Sequence, residues 1–532
     1  MDRSKPSPSD RTTTGSDFLQ LNVRAAAHGR RSSWLAEQVR LAIADGTLAP
    51  GSRLPATREL AAELGVSRGV VTESYRRLAE DGLVAGRGRA GTVVLAAPFG
   101  AGTTAGRDGA RPSVDPAPVR RDDAAESAFA VVDGVPGESV FEALRDAPAR
   151  VDLTPGVPDL STFPRTAWLR AERTVLADLT ASAFGYGDPR GAPVFRTEIA
   201  HWLARYRGIR VDPAEVIVVS GVAQGLALLA QVLAERGVRD VAVEDPGSLG
   251  TRQHLTEWGM RTPPVPVDAA GLQVSALAAS GAPVVLLTPA HQFPTGVVLD
   301  GQRRRELLAW AAAGGLIIED DYDAEHRYDR PPTPALQSLH PEQVCYTGSL
   351  SKTLAPALRT GWLVVPDRYR DDVVAAKRRA DLGSAALAQL VLAELMRTGS
   401  LERHLRTLRR RHRRRRDAMI GALGRWLPQT RVHGAAAGLH LTVTFDGPDG
   451  GDHGPDDVAL ASAALERGVK VHPLSWHRQR PGPPGLVLGY AARMRTEIDE
   501  AIGVLGELAA EAVGRSPRRS SGLAVRPGPP RP

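Results

Sequence analysis

From Trp34 onward, Leu35, Val39 and Ile43 recur at helical spacing, which predicts a helix that Gly46 ends. The next stretch, RLPATRELAAEL over 53–64, places Leu60, Ala61 and Leu64 on one face and Thr57 where an N-cap belongs. Gly65, Val66 and Ser67 form a tight turn, with Ser67 positioned to cap a third helix from Arg68 to Glu80. That helix turns Val71, Tyr75 and Leu78 inward and leaves Arg68, Gly69, Thr72 and Arg76 facing out. Gly82 to Val84, the turn GRGRAG over 86–91 and Thr92 to Val94 then predict a two-stranded wing with arginines at its tip.

The period is lost between 97 and 150, where Gly, Ala, Pro, Arg and Asp dominate; this predicts a flexible linker, with Glu138 to Leu144 able to form a short helix. Beyond it, short apolar runs alternate with helical patterns: EVIVV at 215–219, VAVED at 241–245, Val284 to Leu287, GLIIE at 315–319 and Gly361 to Val365. Runs of this kind are buried parallel strands, so residues 151–512 are expected to be an α/β domain with a mostly parallel sheet. Strands at Gly438 to Phe445 and Val469 to Pro473 and a helix from Glu497 to Ala510 predict a smaller C-terminal α+β part. The polar segments 1–31 and 513–532 are expected to be disordered, which leaves 32–96 as a separate helical domain.

A chain of 532 residues with 42% hydrophobic residues has enough apolar material for more than one core. No run of about eighteen apolar residues suggests a membrane span, and Met1 to Asp10 lacks a signal peptide's apolar stretch, so a cytoplasmic protein is expected. One cysteine, Cys345, excludes an intramolecular disulfide and a typical zinc site, and reads as a core thiol. The formal charge of +7 is compatible with a polyanionic partner. The run RRRHRRRR at 409–416 is bracketed by Leu405, Leu408, Met419 and Leu423 at helical spacing. It reads as the exposed face of a long helix, with a nucleic-acid arm as the alternative.

The densest chemistry is SLSKTLAPALR at 349–359, downstream of EDDYD at 319–323. Acids at the carboxyl end of a buried strand lie where open α/β sheets bind ligands. Strand alternation puts Asp320 and Tyr322 on one face and Asp321 on the other. A lysine, a carboxylate, a phenol, serine hydroxyls and an arginine are the parts needed to hold pyridoxal phosphate (PLP).

The order EDDYD then SLSKTLAPALR resembles the class I/II aminotransferases of fold type I. The resemblance implies Lys352 as Schiff-base lysine, Asp320 on the pyridine nitrogen, Tyr322 on the ring hydroxyl, and Ser349 and Arg359 on the phosphate. It also implies that Tyr186, in FGYGDPRG, reaches the cofactor of a partner subunit. Ser220 to Gln224 precede a helix whose N-terminus makes an anion cradle from backbone groups of Gly221, Val222 and Ala223. The loop TPAHQFPTG at 288–296 resembles the one beside the cofactor hydroxyl, with His291 and Gln292 as polar candidates. Its form HQFPTG, in place of NPTG, marks a regulator branch.

Three positions depart from the enzymes. Val222 stands where a hydroxyl residue is usual, Ser248 where an aromatic commonly stacks on the pyridine, and Val487, in GLVLGYA, where an arginine grips the substrate carboxylate. Arg478, Arg480 and Arg493 are nearby substitutes for that arginine.

Residues 34–95 resemble the GntR-type winged helix-turn-helix, carried by LPATRELAAELGVSRGVVTESYRRLAEDGLV. That resemblance implies DNA contacts from Arg58, Ser67, Arg68 and Thr72, with Arg89 and Gly91 of the wing near the minor groove. Reader, linker and aminotransferase-like domain in this order resemble the MocR subfamily of bacterial regulators. The expectation is a homodimeric, PLP-dependent transcriptional regulator that binds a double-stranded DNA operator and senses PLP, a related vitamer or another small effector. The alternatives are a working aminotransferase with a DNA-binding appendage, or a repressor whose large domain is only a dimerisation scaffold.

Overall fold

The computed structural model describes residues 31–44, 48, 51–81, 83–86, 91–95, 131–132, 135–136, 140–328, 334–434, 437–445 and 454–515. Residues 1–30 and 516–532 of the segments expected to be disordered, most of the expected linker, and Arg89 fall outside them; Arg31 and residues 513–515, also expected to be disordered, lie in helices Arg31–Ala44 and Arg495–Arg515. The chain divides into two compact units at Ala117 and Pro118.

In the first unit, α1 (Arg31–Ala44), α2 (Thr57–Leu64) and α3 (Arg68–Glu80) pack around Leu35, Val39, Ile43, Leu60, Val71 and Leu78. The wing strands β2 (Val84–Gly86) and β3 (Thr92–Val94) pair antiparallel, and β1 (Arg53–Leu54) adds a third strand beside β3. Gly65 ends α2 in the left-handed conformation at φ 62, which costs glycine nothing sterically. Ala56, not Thr57, occupies the N-cap of α2; Ser67 holds the N-cap position of α3, but its side chain makes no capping bond.

The second unit begins earlier than its composition suggested. Helix α4 (Val140–Asp146) lies in the expected linker, yet Val140, Leu144 and Ala147 are buried in the core of the small C-terminal part. It is the short helix allowed at Glu138 to Leu144, but seven residues carry too few apolar positions to show that it packs on a core.

The large sheet contains β4 (Val216–Val219), β5 (Val241–Asp245), β6 (Pro264–Asp268), β7 (Gly271–Leu272), β8 (Val284–Leu287), β9 (Leu316–Asp321), β10 (Val344–Ser349) and β11 (Gly361–Val364). Their order is β7-β6-β5-β8-β9-β10-β11-β4. β6, β5, β8, β9 and β10 run parallel as successive neighbours, β7 is antiparallel to β6, and β11 is antiparallel to both of its neighbours. Both faces are covered, which is why these strands read as continuous apolar runs. In β4, Val216 and Val218 join a core with Trp202 and Trp362, whereas Ile217 and Val219 join one with Leu229 and Leu233 of α5 (Val222–Glu235). Cys345 is a buried free thiol in β10, pushed up to about 12 by burial.

The small part is a four-stranded antiparallel sheet of 430–433, 440–445, 485–489 and 472–473, packed against α6 (Ser400–Trp426) and α7 (Arg495–Arg515). The arginine run lies within α6 and is split by the helical period. Arg410, Arg413 and Arg414 are exposed, while Arg415 and Arg416 are buried. Arg411 and Arg415 both bond Asp159, at 2.9 and 2.8 Å.

Candidate functional site: a cavity at the strand ends and an exposed helix face

The carboxyl ends of β5, β8, β9 and β10 open into a cavity of about 790 Å³. Lys352, Asp320, Tyr322, Ser349, Arg359, Val222 and Ala223 all line it. These residues come from three separate strand-to-loop junctions, and the parallel sheet is what brings them to one end.

Lys352 follows β10 in a loop held from behind by two histidines. His326 Nε2 donates to the Lys352 carbonyl at 3.3 Å, and His404 Nε2 of α6 donates to the Thr353 carbonyl at 3.0 Å. The lysine Nζ donates to the Gly156 carbonyl at 2.7 Å. Burial lowers its pKa, against the opposing pull of Asp323 and Asp320. Its neutral, nucleophilic form is therefore reached at lower pH than in a free lysine.

Asp320 and Tyr322 line the cavity, whereas Asp321 turns to the other side and pairs with buried Arg207 at 2.5 Å. Asp320 accepts from Thr347 Oγ1 at 3.1 Å, and burial pushes its carboxyl up to about 7. Tyr322 is raised well above the usual phenol value by burial and by the acids around it. Its hydroxyl lies 3.0 Å from His291 Nδ1, which also bonds Asp323 at 2.9 Å. His291 thus braces the phenol, and among the described residues no cluster suited to a metal ion is present.

The anion cradle is the N-terminus of α5. Val222 and Ala223 open the helix at the cavity wall after Gly221, which has φ 84. A Cβ on Gly221 would lie 3.0 Å from Arg359 Nη2, so glycine provides both the backbone angle and room for the guanidinium. Arg359 donates to the Ser220 carbonyl at 2.7 Å. Behind the turn, Gln224 accepts from the Ser220 N–H at 2.7 Å and donates to Asp381 at 2.7 Å, and Asp381 pairs with buried Lys377 at 2.9 Å.

Other sequence candidates lie elsewhere. Gln292 is buried and outside the cavity wall: its amide donates to the carbonyls of Pro246 and Phe293, and its oxygen accepts from Thr295 N and Oγ1. Its neighbour Phe293 lines the cavity instead. Tyr186 is 96% exposed and does not line this chain's cavity. Val487 is fully buried and outside the wall; Arg478 and Arg493, half-buried, and Arg480, exposed, are also outside it. Besides Lys352 and Arg359, the arginines and lysines that reach the wall are Arg145, Arg252 and Lys470, from segments outside the cofactor motifs.

On the first unit, Arg58, Ser67, Arg68 and Thr72 are exposed, as is Gly91 at φ 79. Arg76, one turn beyond Thr72, is engaged by Glu73 at 2.6 Å and by Glu80. Among the described residues Arg58 and Arg68 have no ion pair, so both side chains are available to a ligand.

A winged helical unit joined to an α/β unit with a lysine-bearing cavity at its strand ends defines a DNA-reading regulator built on an aminotransferase-like fold. Residues 32–94 match the bacterial regulatory proteins of the gntR family, and 150–505 match aminotransferase class I and II. The chain is 33% identical over 462 residues to the HTH-type pyridoxine biosynthesis transcriptional regulator PdxR of Corynebacterium glutamicum, covering 86% of this chain and 91% of that one. It is 32% identical over 501 residues to the probable rhizopine catabolism regulatory protein MocR of Rhizobium meliloti, covering 91% and 95%. Among solved structures, the multiple substrate aminotransferase of Thermococcus profundus matches with a TM-score of 0.64 at 25% identity, over 73% of this chain and 98% of that one. The α-aminoadipate aminotransferase LysN of Thermus thermophilus, complexed with N-(5'-phosphopyridoxyl)-L-leucine, matches with a TM-score of 0.63 at 26% identity, over 72% and 98%. The chain belongs to the MocR-type transcriptional regulators, in which a GntR winged helix-turn-helix is joined to a class I and II aminotransferase domain.

Proposed function

We propose that this regulator holds PLP in the cavity and couples its presence, or that of a related vitamer, to operator binding by the exposed face of α2 and α3. The observation that carries the reading is the convergence of Lys352, Asp320, Tyr322, Ser349 and the α5 N-terminus on one cavity. The residues fit the group. Asp320, a buried carboxyl pushed up to about 7, is relieved by a protonated ring nitrogen. Helix N-terminal N–H groups with Ser349 and Arg359 match a phosphate. When bound, PLP supplies an aldehyde that a neutral lysine amine captures. Lys352 is the amine, Tyr322 faces the ring hydroxyl, and Gln292 braces the 288–296 loop through its four internal bonds instead of touching the cofactor.

A homodimer follows the same reading. Leu169, Leu176, Phe184 and Tyr186 are exposed close together in sequence, and Tyr186 is then the side chain that reaches the partner's phosphate site. Arg58, Ser67, Arg68 and Thr72 contact the operator, with Gly91 and Arg89 of the wing beside it.

Turnover of amino acids is not expected, because Val487 is buried where a carboxylate-gripping arginine stands in the enzymes. The test is operator affinity of the full chain with and without PLP, together with the visible spectrum after adding amino acids. PLP-dependent affinity with no conversion to the amine form supports the proposal. Conversion at about 1 per second or faster would make it an enzyme. A protein that stays colourless with PLP while binding its operator would make the large unit a scaffold.

A further inference from the structure

Position 248 leaves a gap in the cofactor reading. Ser248 Oγ accepts from Thr251 N–H at 3.2 Å and caps the helix Leu249–Glu257, so it offers no ring to a cofactor. The same turn is covered by His477, more than two hundred residues away in the small C-terminal part. The Gly247 N–H donates to the His477 carbonyl at 2.7 Å, and Arg252 Nη1 donates to it at 3.3 Å. The Leu249 N–H makes a longer contact, 3.5 Å, to the ring's Nδ1.

That last contact assigns the tautomer. Nδ1 faces a donor and must accept, which places the ring proton on Nε2. Burial holds the imidazole neutral, with its pKa well below the ordinary histidine value; the nearby His472, Arg252 and His440 act in the same direction. Nε2 is buried, has no hydrogen-bond partner among the described residues, and belongs to a side chain that is 1% exposed and lines the cavity. A buried donor without an acceptor is costly, and one on a cavity-lining side chain can be relieved by an acceptor on the molecule that fills the cavity. The ring also stands edge-on to Phe293, centroids 5.0 Å apart at 83°, and nearly parallel to His472 at 5.8 Å and 22°.

The geometry points to His477 as a cofactor-contacting residue. Its imidazole takes the place of the missing aromatic after Pro246 and Gly247, and its Nε2–H is a hydrogen-bond donor to the bound cofactor. This rests on the reading that the cavity holds PLP. It adds a contact from the small C-terminal part, so that part closes on the occupied cavity through His477. A purely structural latch would use the carbonyl of residue 477 and the ring's Nδ1 and would make no use of the Nε2–H.

The experiment titrates PLP into the full chain and its His477→Phe and His477→Gln variants, reading equilibrium affinity, the visible spectrum and thermal unfolding without PLP. His477→Phe keeps a ring and loses the N–H; His477→Gln keeps an amide donor and loses the ring. Each is expected to weaken PLP binding, by about tenfold where ring and donor contribute comparably. His477→Phe should also shift the pH midpoint of the cofactor's visible band, which a latch would not move. Unchanged affinity and spectrum in both variants, with only the unfolding temperature lowered, overturns the inference while leaving PLP binding intact. Absence of PLP binding in the unaltered chain overturns the proposed function and this inference with it.

Discussion

On α3, Arg68 and Thr72 are exposed, whereas in the cavity Lys352, Asp320 and Tyr322 are enclosed among other titratable groups. The α3 side chains act with the chemistry of their residue type, and the fold's part is to aim them. Those in the cavity act with chemistry the fold has altered: a lysine whose pKa burial lowers and a carboxyl held at about 7. Replacing a residue on the exposed face therefore subtracts one contact. In the cavity, removing one group also changes the protonation of its neighbours, because charges in a low-dielectric site are coupled.

The largest effect should come from Lys352→Ala. The cavity keeps its phosphate cradle, so PLP can still enter, but the covalent link is lost and the visible band of the lysine-bound cofactor should disappear while circular dichroism stays the same. A retained band would mean that another amine is the partner.

Asp320→Ala comes next. Loss of a charge-assisted hydrogen bond is worth about 1.5–3 kcal/mol, so PLP affinity should fall roughly ten- to a hundredfold. The pH dependence has a definite sign. With its carboxyl at about 7 in the ligand-free site, Asp320 is neutral below that value and charged above it, so affinity for a cofactor protonated at the ring nitrogen should rise as pH increases through about 7. In Asp320→Ala that rise should vanish. A rise that persists would assign the titration to Lys352 or to buried Glu244, also pushed up to about 7.

Arg68→Ala should weaken operator binding by about 1–3 kcal/mol if its guanidinium makes a bidentate base contact, with PLP affinity untouched. Equal losses on operator and unrelated DNA would demote it to a phosphate contact. No loss at all would put the reading face elsewhere.

The same contrast explains how much could be read beforehand. The reader lies within about sixty contiguous residues whose helical period, Gly65 turn and wing glycines are local signals, so its elements follow the sequence closely. Lys352, Asp320 and Tyr322 were legible because they sit at strand ends, where an apolar run stops and polar chemistry begins. Ser349, Arg359 and the Gly221 turn were legible in the same way, but other parts of the wall carried no such signal. Phe141 reaches the cavity from a short helix whose packing no period announces, His472 from a strand of another sheet, and His477 from the short 3-10 helix Ser475–His477. In HQFPTG the polar Gln292 was the natural choice, yet buried carbonyls of Pro246 and Phe293 need donors, and the amide is consumed satisfying them. Val487 was seen as a missing arginine; that its cross-strand partner is His472, a cavity residue, depends on a strand register that only the fold supplies.

The smallest predicted effect tests whether the two regions are independent. Gly65 and Gly221 both have positive φ, 62 and 84, but differ in what surrounds them. Nothing lies within 4 Å of a Cβ built on Gly65, while one on Gly221 meets Arg359. Gly65→Ala therefore isolates the backbone term. An alanine held in the left-handed region costs about 1–2 kcal/mol, partly offset by the stiffer unfolded chain, which leaves roughly 1 kcal/mol. The reader's unfolding midpoint should drop by a few degrees, operator affinity at low temperature should be nearly unchanged, and PLP binding should not respond at all. A matched loss of PLP affinity in Gly65→Ala would show that the turn of the reader and the cavity share one cooperative unit, contrary to the division of the chain at Ala117 and Pro118.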